Sequence, residues 1–443
     1  MEISDGININ DYINKNYNCS CGKIHSCQIK DIIIKNDAIK SLVGLLDKNN
    51  SKYPYIIYDK NTYSATGKKI ENLLKKYNIK FKKIIISHND VIASEEIIGE
   101  TLINYDNKCD LIIGVGSGTI NDIGKFISYK IKIPYIVVAT APSVDGFASD
   151  CAPLIVKNMK VTYEAKVPDA IIGDVEVLKN APMDMIAAGV GDILGKYTCL
   201  VDWKLSSMVS GEYYCETVVG IVRKAIDIVV NETENILKRE DDSIRKVMEA
   251  LILSGIAMSY TKNSRPASGS EHHLSHYWEM MFMFQGKKAV LHGRKVGVGT
   301  VEVCKLYERL IDSKIDFKRA RELAKKFSLE YWEEGIRKVY FNASEGVIEL
   351  EKNVHKNSSE NVLKRIDYYE NHWNELKNFI SKNVPSSIYI SNILEKLNAP
   401  SKYEDIELSE EIYIYSIVYA KELRNRLGLL QILYDLKVSD YYN

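Results

Sequence analysis

The chain has 443 residues, of which 46% are hydrophobic and 27% charged. That is ordinary for a soluble globular protein and long enough for two domains. Its 59 basic and 59 acidic residues cancel. This argues against a protein held to nucleic acid or to a membrane surface by bulk charge, and leaves room for a local basic pocket for a phosphorylated small molecule. The longest apolar runs, such as Pro134–Ala139, are too short to span a bilayer. Met1-Glu2-Ile3-Ser4-Asp5 is acidic and lacks the basic, then apolar, pattern of a secretory signal. The expected compartment is the cytoplasm, where the eight cysteines are mostly reduced.

Three cysteines cluster early, in Cys19-Ser20-Cys21-Gly22-Lys23-Ile24-His25-Ser26-Cys27. The spacing of Cys19, Cys21 and Cys27 is not a standard CxxC pair, and no second half appears downstream. A turn with buried thiols is the favoured reading and zinc the rival. Alternating elements come next. Tyr55–Tyr58 predicts a strand, 65–77 a helix, Lys83–Ser87 a strand, Glu95–Asn104 a helix, Leu111–Val115 a third strand and Tyr135–Val138 a fourth. Continuous apolar strands between helices suit a doubly wound, mostly parallel sheet covered on both faces. From about Pro182 helical periodicity dominates, over 183–203, 216–237, 244–260, 319–326 and 412–434. The expected architecture is an α/β domain over 1–180 followed by an all-α domain over 181–443. Asn353–Lys382 is polar and charged, and reads as an exposed helix or helical insert.

The third strand opens into Gly114-Val115-Gly116-Ser117-Gly118-Thr119-Ile120-Asn121-Asp122. Gly116 and Gly118 let the backbone approach a diphosphate, and a helix N-terminus there supplies oriented N–H groups. The pattern is not GxGxxG, so alone it reads equally as a tight strand–helix turn. The next strand ends at Thr140-Ala141-Pro142-Ser143-Val144-Asp145-Gly146-Phe147-Ala148-Ser149, where hydroxyls and an acid gather at the ligand-binding edge of such a sheet. Asp192, in Gly189-Val190-Gly191-Asp192, is an acid among apolar and small residues, and a buried carboxylate needs a partner or a metal. Arg265 suits either a bidentate grip on phosphate or a tie to loop carbonyls. Four of the eight histidines then fall in Glu271-His272-His273-Leu274-Ser275-His276 and Leu291-His292-Gly293. His272 and His276 share a helix face, while His273 lies about 100° around from His272. With one carboxylate, best supplied by Asp192, the histidines form a His/His/carboxylate metal site with open positions.

The ordered set GSGTIND, TAPSVDGFAS, AGVGDILGK, SRPASGSEHHLSH and LHGRKVGVGT resembles the sn-glycerol-1-phosphate dehydrogenases. These belong to the superfamily of iron-type alcohol dehydrogenases, glycerol dehydrogenases and dehydroquinate synthases. The resemblance spans roughly Asp31 to the C-terminus. It implies a dehydroquinate synthase-like fold and reversible, NAD(P)H-linked reduction of dihydroxyacetone phosphate to sn-glycerol 1-phosphate. It further implies that Gly118, Thr119, Ile120, Asn121 and Asp122 contact the cofactor diphosphate, with Thr140, Ser143 and Ser149 also facing the cofactor. Asp145 would bind substrate. Asp192, His272 and His292 would hold zinc or nickel, and Asp192 and His276 would act in catalysis against the substrate. Arg265, or more weakly Lys160, would hold the phosphate. Asp59 ends the first predicted strand, where an acid accepts from ribose hydroxyls and repels a 2′-phosphate, tilting the choice to NAD. Arg294 departs from the acid that follows LHG in many relatives. A homodimer or larger assembly is expected. The rival readings are a glycerol or other polyol dehydrogenase, a dehydroquinate synthase, and a non-catalytic metal- and nucleotide-binding protein.

Overall fold

Among the described residues, every strand lies at or before Asp174, and six strands form one sheet. A computed structural model describes residues 8–88, 90–156 and 159–438; the expectation for Met1–Asp5 falls outside them. A short antiparallel hairpin pairs β1 (Asn16–Asn18) with β2 (Ile24–Ser26). The main sheet contains β3 (Asp31–Lys35), β4 (Pro54–Asp59), β5 (Lys82–Ile86), β6 (Leu111–Gly116) and β7 (Tyr135–Ala139). A second hairpin, β8 (Cys151–Val156) with β9 (Met159–Glu164), precedes β10 (Ala170–Asp174), which returns to the sheet.

The order is β3-β10-β7-β6-β4-β5, with every pairing parallel. All residues of β6, β7 and β10 are buried, as expected when helices cover both faces. Ile56, Tyr58, Ile113, Val115, Ile136 and Val138 pack with Leu42, Ile70 and Leu74 in one core. From β4 the chain steps outward to β5, then crosses back to β6 on the other side of β4. The direction of winding therefore reverses between β4 and β6, and a crevice opens beyond their carboxyl ends, where ligands bind in such sheets.

Six helices carry or brace the candidate site residues: α1 (Gly118–Ile131), α2 (Met183–Leu194), α3 (Glu216–Asn231), α4 (Asp241–Thr261), α5 (Ser270–Phe284) and α6 (His292–Asp312). Two units emerge. One is Met1–Ile193 with Thr217–Ser264, and the other is Leu194–Glu216 with Arg265–Asn443. The sheet, α4 and nearly all of α2 and α3 lie in the first. The second is helical, with a core that includes Leu205, Leu274, Trp278, Val303, Tyr307 and Leu433. No helix among the described residues is long and apolar enough to cross a membrane.

Several elements differ from the sequence expectation. β3 and β10 were not expected, because Asp31 and Lys35 bracket only three isoleucines and Gly173-Asp174 ends another short run. The helix expected over 183–203 is two, ending at Leu194 and restarting at Lys196. That over 412–434 breaks after Tyr419 into a 3-10 turn and resumes at Leu429. The polar 353–382 stretch is mostly one helix, Ser359–Asn383, and it is not merely exposed. Val362, Ile366, Tyr369, Leu376 and Ile380 are buried, and Arg365 pairs with buried Asp435 at 2.6 Å.

Candidate active site

In the first unit, β6 ends at Gly116 and α1 begins at Gly118, so the N–H groups of α1's first turn point out at the crevice edge without intrahelical carbonyls. Ser117, between them, lies 2.5 Å from Ser143 hydroxyl to hydroxyl, tying the β6–α1 turn to the loop after β7. The Thr140 N–H donates to the Gly116 carbonyl at 3.2 Å, a second tie. Gly118, Thr119 and Ile120 thus stand where a diphosphate would meet a helix dipole. Asp59 sits across the crevice at the end of β4, with one carboxylate oxygen accepting the Thr62 N–H at 2.8 Å to cap the next helix. Asn121 is buried and is turned to the loop, its amide donating to the Gly146 carbonyl at 3.1 Å. Its side chain therefore shapes the site from beneath.

Lys125 was not picked out from the sequence, where it reads as a solvated helix lysine. It is fully buried. Its ammonium donates to the Gly146 carbonyl at 2.9 Å, Ser149 Oγ at 3.0 Å and the Cys151 carbonyl at 2.7 Å, and pairs with Asp122 at 3.1 Å. One cation thereby fixes the segment that carries Ser149. Burial pushes the Asp122 carboxyl up, and Lys125 opposes that. The i, i+3 spacing of Asp122 and Lys125 on α1 was the available signal.

The same unit brings Asp145 and Asp192 together. The Asp145 N–H donates to Asp192 Oδ2 at 3.0 Å, and Ser254 on α4 donates to Asp145 Oδ2 at 2.8 Å. Asp192 is fully buried on α2. The close approach depends on Gly189, one turn earlier, because a Cβ there would overlap the Pro142 carbonyl oxygen.

In the second unit the rings of His272 and His276 on α5 converge with His292 at the start of α6. Centroid separations are 5.2 Å for His272–His292, 5.6 Å for His276–His292 and 6.0 Å for His272–His276. Glu271, also overlooked at the sequence level, is buried and accepts from His272 Nδ1–H at 2.8 Å, the Gly269 N–H at 2.7 Å and the Thr198 hydroxyl at 2.6 Å. Burial alone would raise its carboxyl, but these donors hold it below its ordinary range. With its proton on Nδ1, His272 presents Nε2 as the lone-pair nitrogen, the arrangement found behind metal-bound imidazoles. The donor set thus suits a divalent cation such as zinc or nickel. His276 lies 3.7 Å from Glu279. His273 is buried, and burial together with Arg426 and Lys356 pushes its pKa far down. It is a packed neutral ring, as its position around the helix predicts.

The first turn of α5 is tightly held. Buried Asp202 accepts from the Ser270 N–H at 2.7 Å, the Ser270 hydroxyl at 2.6 Å, the Tyr307 hydroxyl at 2.5 Å and the Leu429 N–H at 2.9 Å. Arg265 is almost wholly buried, its guanidinium forked onto Glu212 and reaching the Leu427 carbonyl at 3.0 Å. These contacts tie the Arg265 loop to Glu212 and to the Leu427 carbonyl.

Residues 33–182 match the iron-containing alcohol dehydrogenase family. A curated glycerol-1-phosphate dehydrogenase [NAD(P)+] of Bacillus licheniformis is 33% identical over 419 residues, covering 94% of this chain and 91% of that protein. This chain belongs to the glycerol-1-phosphate dehydrogenase family. Its counterpart of the same name in Halalkalibacterium halodurans is likewise 33% identical, over 95% of this chain and 96% of its own length. A probable glycerol dehydrogenase from Sinorhizobium meliloti shares the fold, with a TM-score of 0.58 at 15% identity over 91% of each chain. The sequence motifs of this glycerol-1-phosphate dehydrogenase family member thus sit on a fold common to the wider superfamily.

Proposed function

We propose that the protein interconverts dihydroxyacetone phosphate and sn-glycerol 1-phosphate, using NAD(H), with NADP(H) as the alternative, and one divalent metal, zinc or nickel. Asp192, His272 and His292 would hold the metal. When bound, it supplies Lewis acidity to the C2 oxygen of the substrate. The remaining roles belong to the chain. The first-turn N–H groups of Gly118, Thr119 and Ile120 bind the cofactor diphosphate, and Asp59 takes the ribose hydroxyls. Ser117 and Ser143, bonded to each other, and Ser149, held by Lys125, keep the cofactor loop in shape. Asp145 binds the substrate hydroxyls, with its own carboxylate oriented by Ser254. His276, one helical turn from His272, holds or delivers the proton at the C2 oxygen. Arg265 acts as a positioning residue through Glu212.

The convergence of His272, His276 and His292, with Glu271 behind His272, carries this reading. Its test is NADH oxidation with dihydroxyacetone phosphate after the metal is stripped and Zn²⁺ or Ni²⁺ added back. Metal-dependent turnover with the triose phosphate is expected. Turnover with glycerol and none with glycerol 1-phosphate would instead make the protein a polyol dehydrogenase, and NADH binding without oxidation would make it a non-catalytic binder. The same reading has a cytoplasmic homodimer or larger assembly, which light scattering of the purified chain checks.

A further inference from the structure

The cysteine-rich start has no part in the chemistry above, yet the fold gathers it. Cys19 to Lys23 is the turn between β1 and β2. The Gly22 N–H donates to the Cys19 carbonyl at 3.0 Å, and the Cys19 N–H donates to the Lys23 carbonyl at 3.0 Å. Gly22 adopts φ +83°, a left-handed conformation that suits glycine. This turn projects Cys19 and Cys21 toward His25 on β2, and the ligand atoms of the three lie within 4.8 Å of one another. Cys21 Sγ is 3.4 Å from His25 Nε2. Two ligands on one tetrahedral zinc, at about 2.3 Å for sulfur and 2.05 Å for nitrogen, stand about 3.6 Å apart.

His25 is set up as a ligand. It is fully buried, and its ring stacks on Tyr260 of α4 at 5.2 Å and 5°. Its Nδ1 lies 2.9 Å from the Tyr260 carbonyl. A carbonyl only accepts, so Nδ1 carries the proton and the Nε2 lone pair faces the Cys21 sulfur. This is how a zinc-bound imidazole is oriented from behind. Cys19 Sγ is 3.3 Å from the Thr217 hydroxyl in the first turn of α3. Cys27 is a different case, a packed thiol pushed up to about 11 by burial.

We propose that Cys19, Cys21 and His25 are the core of a structural zinc site, separate from the catalytic metal. Two thiolates and one imidazole select zinc over harder cations. The strands of the β1–β2 hairpin are three residues each, too short to be stable alone. The zinc would clamp the turn of that hairpin to its second strand, doing the work of the large apolar face it lacks.

The test uses the full chain. Purified protein should contain zinc beyond the catalytic equivalent, and the Cys19→Ser/Cys21→Ser variant should lose one equivalent per chain. Since the catalytic ligand set contains no cysteine, cobalt reconstitution separates the two sites. Thiolate-to-cobalt charge-transfer absorption should appear in the wild type, persist in His272→Ala and vanish in Cys19→Ser/Cys21→Ser. Its absence from the cobalt-loaded wild-type protein, a measurement that needs no variant to fold, would overturn the assignment. So would its persistence in the double variant.

Discussion

Glu271→Gln is the sharpest probe of the histidine cluster. The carboxylate is buried and accepts three hydrogen bonds, one of them from His272 Nδ1 at 2.8 Å. A glutamine of the same shape keeps its oxygen toward His272 and Gly269. Its amide can face Thr198, whose hydroxyl already lies 3.1 Å from the Gly195 carbonyl and can turn to it. The three groups that Glu271 now bonds each keep a partner, so the fold should survive. What is lost is the negative charge behind the imidazole. Exchanging a charge-assisted hydrogen bond for a neutral one removes about 1–1.5 kcal/mol, or roughly 5- to 13-fold in affinity. The lost Coulomb attraction to a divalent ion adds to this, giving a drop of about 10- to 100-fold in metal affinity. Competition against a chromogenic chelator measures it, and saturating metal should restore most of kcat. A well-folded variant with unchanged metal affinity would refute the idea that Glu271 acts through His272.

Lys125→Met should destabilise the chain by about 3 kcal/mol, since Asp122 loses its cation and the Gly146 and Cys151 carbonyls lose a donor; urea unfolding measures this, and KM for the cofactor should rise more than kcat falls. Gly189→Ala should cost about 1–3 kcal/mol, because the added methyl drives α2 away from Pro142. Calorimetry would follow the melting temperature, and metal affinity should fall as the Asp145–Asp192 bond loosens. Buried Glu422 supplies a pH test. Burial alone would raise its carboxyl, but Lys421 and Lys356 bring it down from 4.5 to about 2. A depressed carboxyl stabilises the fold above its unfolded value and loses that contribution as pH falls from about 4.5 toward 2. Glu422→Gln should therefore lower stability at neutral pH and flatten the acid limb of a urea-midpoint profile over that window.

The strands at 55–58, 111–115 and 135–138 were legible because parallel strands buried on both faces are written as unbroken apolar runs, and the edge strand expected over 83–87 because Ile84–Ile86 is such a run too. β3 and β10 were not: Ile32–Ile34 is flanked by charge at both ends, and Ala170–Ile172 stops at Gly173-Asp174. The candidate ligands were visible as residue types with helical spacing, but their supporting partners were not. Glu271 stands beside a histidine in sequence and looks like surface charge. Lys125 is indistinguishable from any helix lysine until the loop of Gly146 and Cys151 closes over it. Asp145 and Asp192, 47 positions apart, meet only because Gly189 lets a helix touch a backbone carbonyl. Arg265 had two readings of equal chemical merit, and its placement on Glu212 could not be read from the sequence.

The Asp202 clasp on the first turn of α5 bears on how such an enzyme lives. That helix is locked in rotation by Ser270, Tyr307 and Leu429, all through one carboxylate, before any cation arrives. Much of the entropy of ordering that helix is therefore met during folding, and stripping a bound metal should leave α5 in place. In the function proposed above, a helix ordered this early would accept divalent cations of similar size with little rearrangement.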